Sequence, residues 1–498
     1  MKNGIRQAPP RAAAMVESLR GLGYSPATAI ADIVDNSISA AAQNVDVRLE
    51  WAGENSWVAI RDDGFGMRDS ELEQAMQLGA KDPRDERDEA DLGRFGMGLK
   101  TASFSQARRL TVVSRVPDEQ MATLRWDLDQ LQTAEGADWS LHEGPAPGSE
   151  AIVANLAPTE HGTLVFWEVL DRVVVPGFRE SDFHDFAEAI EDHLAMTFHR
   201  LIADGTVSVR LNGRVVRPWD PFMTGHPGKA FEGPLLRIGG QYAIGVQVHV
   251  LPHKDMLSEK ELKLAAGPGG WTAQQGFYIY RNRRLIALGG WLKLRDERGR
   301  QFTRDEPHRL ARIMLDIPNT ADSAWNINIL KSTATPPVTL RANLTRIAQE
   351  ARARARRVFA HRGRLIAAGT GSKEALPDVW QAYRKQESTT YRIFRDHALV
   401  QSVLSKAGPL RKEIEALLKL VEGTVPVQRI WLDTTEDSEP PRSSLSDEKD
   451  AQILEMMHEI FDAFTEDRRM TPEEALARLG RTAPFDERPE LIAMLRSD

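Results

Sequence analysis

The sequence predicts an α/β protein whose first domain is an α/β sandwich with a mixed sheet. Three observations predict it. Ala29, Ile30, Ile33, Val34, Ser37 and Ile38 recur at helical spacing behind Pro26. Residues 45–50 and 57–60 have the short, alternating pattern of strands. Residues 110–114 and 162–169 read as two more strands, and Asn212-Gly213 signals a hairpin in the β-rich stretch that follows residue 176.

Taken in order, residues 11–22 have helical spacing, and Gly21 and Gly23 punctuate the end. Ser25-Pro26 opens the second helix, with Pro at an early position. Residues 110–114 and 162–169 supply further strands. After Pro176-Gly177 come a helix-like stretch, 183–202, and a β-rich region that includes the strand-turn-strand of Gly276 to Ile286. Arg341 to Arg364 carries eight arginines and one acid, Glu350. Leu344, Ile347, Ala351, Ala355 and Val358 form an apolar stripe along it, so one long helix with a cationic outer face is expected. Beyond Gly369, Trp380, Tyr383, Tyr391 and Phe394 are read as packing residues of a small module. Residues 433–447 form an acidic Ser/Pro-rich linker, and Thr471-Pro472 starts a helix. The expected divisions are 1–175, 176–337, 338–368 (the basic helix), 369–432, 433–447 and 448–498.

The 498 residues suit about three domains. Hydrophobic residues at 41% and charged residues at 27% are ordinary for a soluble globular chain. Lys plus Arg 64 against Asp plus Glu 72 gives a net charge of −8, so any nucleic-acid contact must be a local patch. The absence of cysteine excludes disulfides, Cys-type zinc sites and thiol catalysis. No apolar run is long enough for a membrane span, and residues 1–15 have no signal-peptide core, so a cytoplasmic location is expected.

The chemistry concentrates in the first hundred residues. Asp32 and Asn36 lie four apart, so a helix points both the same way. That suits a carboxylate activating a water beside an amide that coordinates magnesium. Asp35 rotates off this line and is expected to be structural. Asp62, followed by Gly64 and Gly66, can accept a hydrogen bond from an adenine amino group while the backbone passes close to the ring. Asp63 is read as a solvated turn residue. Gly93 to Lys100, reading GRFGMGLK, leads a Gly-rich loop into a helix, where free N–H groups suit phosphates.

These segments together resemble the ATPases of gyrase, the heat-shock chaperones, histidine kinases and MutL (GHKL, with the Bergerat fold). The local match is nearest to the bacterial MORC and MutL-like branch, through GRFGMGLKTA and the later Gly162-Thr163 strand. The resemblance implies a Bergerat-fold ATPase domain, a transducer-like (ribosomal S5-like) α/β domain and a mostly helical C-terminal region. It implies ATP and Mg2+ as cofactors, with Asp32 the general base, Asn36 the magnesium ligand and Asp62 the adenine reader. Gly64 and Gly66 shape the adenine pocket, with Met67 after them. Gly93, Phe95, Gly96, Met97, Gly98, Leu99 and Lys100 make the phosphate loop, and Thr163 supports Asp62 through a water. Residues 67–91, rich in charge, correspond to the lid over the nucleotide. Gly276 to Ile286 resembles the transducer strand-turn-strand, and Lys331 is the candidate lysine at the terminal phosphate. Most relatives carry Glu at Asp32 and often Asp at Ser39. The shorter Asp implies slow hydrolysis, with ATP acting more as a switch than as a fuel.

The function expected from the resemblance is an ATP-gated dimeric clamp on DNA, gripping it through the Arg341 to Arg364 helix. Bacterial relatives of this kind are often linked with repair, restriction-modification or phage defence. The alternative is a chaperone-like protein-remodelling ATPase. A histidine kinase is disfavoured because no His precedes the first helix. Topoisomerase cleavage and MutL-type nuclease motifs are not found. The C-terminal region is expected to bind partner proteins.

Overall fold

The computed structural model describes residues 11–80, 98–133, 139–239, 243–318, 321, 324–327, 334–360, 379–385, 388–426, 450–465, 470–480, 485 and 488–495. The chain divides into two units, Met1–Ile366 and Ala367–Asp498.

The first unit opens with helices α1 (Ala12–Arg20) and α2 (Pro26–Ser39). Ser25 caps α2, its hydroxyl accepting from the Thr28 N–H at 3.2 Å, and Pro26 stands where no intrahelical donor is needed. The apolar face read from the sequence (Ala29, Ile30, Ile33, Val34) is fully buried. Strands β1 (Asn44–Glu50), β2 (Trp57–Asp62), β3 (Arg109–Arg115), β4 (Ala122–Asp127), β5 (His142–Glu143), β6 (Gly162–Glu168), β7 (Ser208–Leu211) and β8 (Arg214–Val215) form one mixed sheet. Their order is β5-β4-β3-β6-β2-β1-β7-β8. Among them lie α3 (Asp69–Met76), α4 (Gly98–Phe104), α5 (Leu128–Thr133), α6 (Glu150–Leu156), α7 (Glu180–Thr197) and α8 (His199–Ala203). Alternation along β2 sorts its side chains between two cores. Val58 and Ile60 face α1, α2, α4 and α7, whereas Ala59 joins Val153 and Leu156 of α6 on the other face.

The β7–β8 hairpin turns at Asn212 and Gly213, both with positive φ, as its sequence predicts. Although it lies beyond residue 176, it extends the first sheet, with β7 parallel to β1. Residues 183–202, read as one helical stretch, form α7 and α8, which meet at Phe198.

A second sheet contains β9 (Phe231–Glu232), β10 (Leu236–Ile238), β11 (Ile244–Val250), β12 (Gly276–Arg281), β13 (Arg284–Leu288) and β14 (Ala311–Ile317). The order is β10-β11-β14-β12-β13, with β9 also on β11. Helices α9 (Glu259–Ala266) and α10 (Gly270–Ala273) precede β12. Helix α11 (Val338–Ala360) follows β14 and buries Leu344, Ile347, Ala348, Ala351, Ala355 and Val358 against Phe277, Ile279 and Ile313. The opposite side chains of β12, Tyr278 and Tyr280, enter the core of the first sheet. One strand therefore staples two cores together.

This junction is polar as well as apolar. His199 Nε2 lies 2.8 Å from the Tyr280 hydroxyl, and His249 Nδ1 accepts from Lys229 Nζ at 2.8 Å. Burial holds both imidazoles down at about 4, against the ordinary 6.5. Between those values the unfolded chain takes up protons that the folded chain refuses, so stability falls as pH drops through that window. The expected slope is up to about 1.4 kcal/mol per pH unit for each ring. Urea midpoints measured between pH 7 and pH 4 should show the fall, and His249→Gln should flatten it. Equal slopes in the two proteins would dismiss His249 as a source.

The second unit contains a hairpin of β15 (Trp380–Lys385) and β16 (Ser388–Ile393), and helices α12 (Ala398–Lys406) and α13 (Arg411–Gly423). Helices Asp450–Thr465, Pro472–Leu479 and Pro489–Leu495 follow, packing Ile453, Met457, Phe464, Leu476 and Leu491 into a small core. Thr471 caps the second of these with a capping box. Trp380, Tyr383 and Tyr391, expected to pack, are exposed among the described residues, because they sit on a two-stranded ribbon.

Candidate functional site

The site is built where α2 passes the end of β2. Asp62 is the last residue of β2, and the register sets it opposite Thr163 of β6. Its carboxylate accepts from the Gly64 N–H at 3.0 Å, the Thr163 N–H at 3.1 Å and the Ser37 hydroxyl at 2.7 Å. Burial pushes this carboxyl up, and these three donors pull it back toward the ionised form. A carboxylate offers about four acceptor positions, so one remains for an incoming donor. The Thr163 hydroxyl is turned to Ser114, at 2.9 Å.

The glycines after Asp62 bring the loop against its neighbours. A Cβ at Gly66, where φ is +71°, would stand 1.9 Å from the Arg115 carbonyl oxygen. At Gly64 it would stand 2.8 Å from that of Ala40. Side chains cannot be accommodated there without moving the backbone. Ser114 accepts from the Met67 N–H at 2.9 Å, and His161 donates from Nδ1 to the Gly64 carbonyl at 2.8 Å. Phe65 is left exposed. Asp63 is tied down by the N–H groups of Gln43 and Asn44 and by the Asn44 amide, so it anchors the start of β1. Those three bonds outweigh its partial burial and hold its carboxyl below the usual range.

On α2, Asn36 is exposed and Asp32 is buried, at 3%. The Tyr24 hydroxyl donates to Asp32 Oδ2 at 2.7 Å. Burial, and then the Asp32 charge, push that phenol well above its usual range, so it remains a donor. Arg284, at the start of β13, pairs with Asp35 at 2.7 Å and lies 3.7 Å from Asp32 Oδ1. Asp35 is thus an ion-pair partner within the fold. Gly98 opens α4 beside Asp32; a Cβ there would be 3.8 Å from Oδ2. Leu99 packs partly buried against the core. Lys100 is buried, and its ammonium donates to the Ala75 carbonyl at 2.8 Å, near the C-terminal end of α3. Gly93, Phe95, Gly96, Met97 and Lys331 lie outside the described residues, as do 81–91 of the expected lid.

Five residues that hold the site were not assigned to it from the sequence: Tyr24, Ser37, Ser114, His161 and Arg284. Ser37 had a signal, being next to Asn36 on the helix. Arg284 had one too, within the strand-turn-strand already singled out.

The histidine kinase-, DNA gyrase B-, and HSP90-like ATPase family matches residues 24–163. That span contains Asp32, Asn36, Asp62, the adenine-type loop and Thr163. It is a GHKL ATPase domain. Relatives of the chain include the DNA mismatch repair protein MutL of Rickettsia bellii (strain OSU 85-389). It is 34% identical over 98 residues, covering 20% of this chain and 16% of the relative. MutL of Shewanella piezotolerans is 26% identical over 276 residues, covering 52% and 39%. The chain therefore spans well under half the length of these relatives. The longer match exceeds the GHKL domain in length.

The donor set suits a purine nucleotide. Asp62 keeps an acceptor position, and Gly64 and Gly66 let the backbone approach. Among the described residues no cluster of three or more His, Asp or Glu could hold a metal by itself. Magnesium needs few protein ligands when phosphates supply the rest, and the exposed Asn36 amide fits that role. No helix among the described residues is long and apolar enough to cross a membrane.

Proposed function

We propose that this protein binds and hydrolyses ATP with magnesium and acts as an ATP-gated dimeric clamp on DNA. The observation that carries the reading is the 2.7 Å hydrogen bond from Ser37 to Asp62, which ties α2, the helix of Asp32 and Asn36, to the end of β2. Asp62 would accept the adenine amino group, Asn36 would hold the magnesium ion, and Asp32 would take the proton of the attacking water. Thr163 supports Asp62 through its backbone N–H. The Gly93 to Lys100 loop would hold the phosphates, with Lys331 at the terminal one. Lys100 ties the phosphate helix to α3, the helix that leads into residues 81–91, so nucleotide binding would act on both. The DNA part rests on the MutL relatives and on the arginines of α11. Defence or repair is the biological setting that such an activity fits.

Asp32 is held by Tyr24 and Arg284, which limits how far its short side chain can follow a water. Slow turnover is expected. ATP turnover and oligomeric state, measured together with and without plasmid DNA, test the proposal. ATP-driven dimerisation with a DNA-dependent change in rate is the expected result. Turnover stimulated by unfolded protein and indifferent to DNA would replace the clamp with a protein-remodelling ATPase. An absence of nucleotide binding would overturn both.

A further inference from the structure

The cationic face expected along α11 is not uniform. Arg354 pairs with Glu350 at 2.9 Å and lies 4.0 Å over the Phe231 ring, committed to the helix's own packing. Arg352 points the other way. It bonds the Thr303 carbonyl and Asp305, each at 3.0 Å, and covers the rings of Trp291 and Phe302 at 4.8 and 5.1 Å. Between α11 and residues 296–308 lies an open cavity of about 760 Å³. Arg300, Arg352, Arg356 and Arg357 line it, and among the described residues its one lining carboxylate is Asp296, paired with Arg300 at 2.8 Å. Arg356 and Arg357 are exposed and make no ion pair among the described residues.

We infer that this cleft seats the phosphodiester backbone of DNA, an inference that rests on the DNA reading above and locates its contact. Three arguments favour that occupant. The chain as a whole carries −8, so a concavity where Arg356 and Arg357 add to the already paired Arg300 and Arg352 is a local reversal of charge that would draw polyanions. Guanidinium forks match phosphate oxygens two at a time, and Gln349 on the same wall adds a neutral donor. The aromatic ring in the cleft, Phe302, is already covered by Arg352, so a protein partner finds little apolar surface to anchor on. Guanidinium–phosphate pairs of this kind position a duplex without reading its sequence.

The test is duplex binding by fluorescence anisotropy over a salt series, using the full chain. Arg356→Glu/Arg357→Glu is compared with Arg214→Glu/Arg237→Glu, which places the same charge change on exposed arginines of the two sheets. Thermal melts establish that both variants are folded, and Arg356→Gln/Arg357→Gln repeats the comparison without charge reversal. The cleft variant should bind about tenfold or more weakly at physiological salt. Its log–log salt slope should become shallower by about two, roughly one for each phosphate left unneutralised. The control should keep both. DNA binding that is equal in the cleft and control variants would overturn the cleft while leaving the clamp reading intact. A wild-type chain that binds no duplex, or prefers an acidic peptide, would overturn both.

Discussion

Asp32→Asn should abolish turnover while leaving nucleotide bound. The replacement is nearly isosteric, and its amide oxygen can still accept from the Tyr24 hydroxyl, which now stands 2.7 Å from Asp32. The fold around α2 should therefore persist. What the amide cannot do is take a proton from water. Removing a positioned general base costs about 10²- to 10⁴-fold in rate. The measurement pairs a steady-state phosphate-release assay with fluorescent-nucleotide binding, which reports occupancy of the site independently of the chemical step. Unchanged affinity with abolished turnover assigns Asp32 to the chemical step. Turnover that survives at the wild-type rate would remove Asp32 from that role, whatever the binding shows.

Arg284→Met should be strongly destabilising. Arg284, with a side chain only 4% exposed, faces Asp35 and Asp32, whose side chains are 1% and 3% exposed. Removing a buried cation takes from two buried carboxylates the opposite charge that faces them, and breaking such a pair from one side costs about 3–5 kcal/mol. A fall in melting temperature on the order of 10 °C follows. Adding Asp35→Asn to Arg284→Met should restore part of it, because one of the two stranded charges is then gone. Melting at the wild-type temperature would show that the pair contributes nothing net. The consequence reaches function, since Arg284 belongs to the second sheet and Asp32 to α2 below the first. A hairpin of one sheet thus orients the candidate base carried beside the other. Below its melting transition, Arg284→Met should still turn ATP over more slowly than wild type, because Asp32 loses a neighbour that holds its carboxylate.

Much of the fold could be read locally. Helix α2 was legible from its Ser25 cap, Pro26 and buried stripe, because each of these acts within one turn of chain. The hairpin turn at Asn212-Gly213 was legible because its positive φ values favour few residue types, Asn and Gly foremost. The apolar stripe of α11 was legible in the same way, at one residue per helical turn.

Other features were hidden from any local pattern. Nothing in residues 208–215 says that β7 joins β1, since a strand's alternation names its faces and not its neighbour. The solvated turn expected at Asp63 is a tether of three hydrogen bonds, because the donors belong to Gln43 and Asn44, at the start of β1. The even arginine face of α11 divides once Asp305, Trp291 and Phe302 are in place to claim Arg352.

The sequence by itself determined which residues stand as candidates for the chemistry: a carboxylate and an amide one helical turn apart, and an Asp ahead of two glycines. Residue type and spacing suffice there, because a helix or a tight turn presents its own side chains predictably. Only the tertiary structure decided what surrounds them. Tyr24 and Arg284 approach different carboxylate oxygens of Asp32, and Arg284 meets Asp35 across 249 positions of chain. Ser37 and the Thr163 backbone converge on Asp62 in the same manner. Electrostatics and hydrogen bonding act through space at a few ångströms, so the partners of a site residue are set by packing rather than by order along the chain.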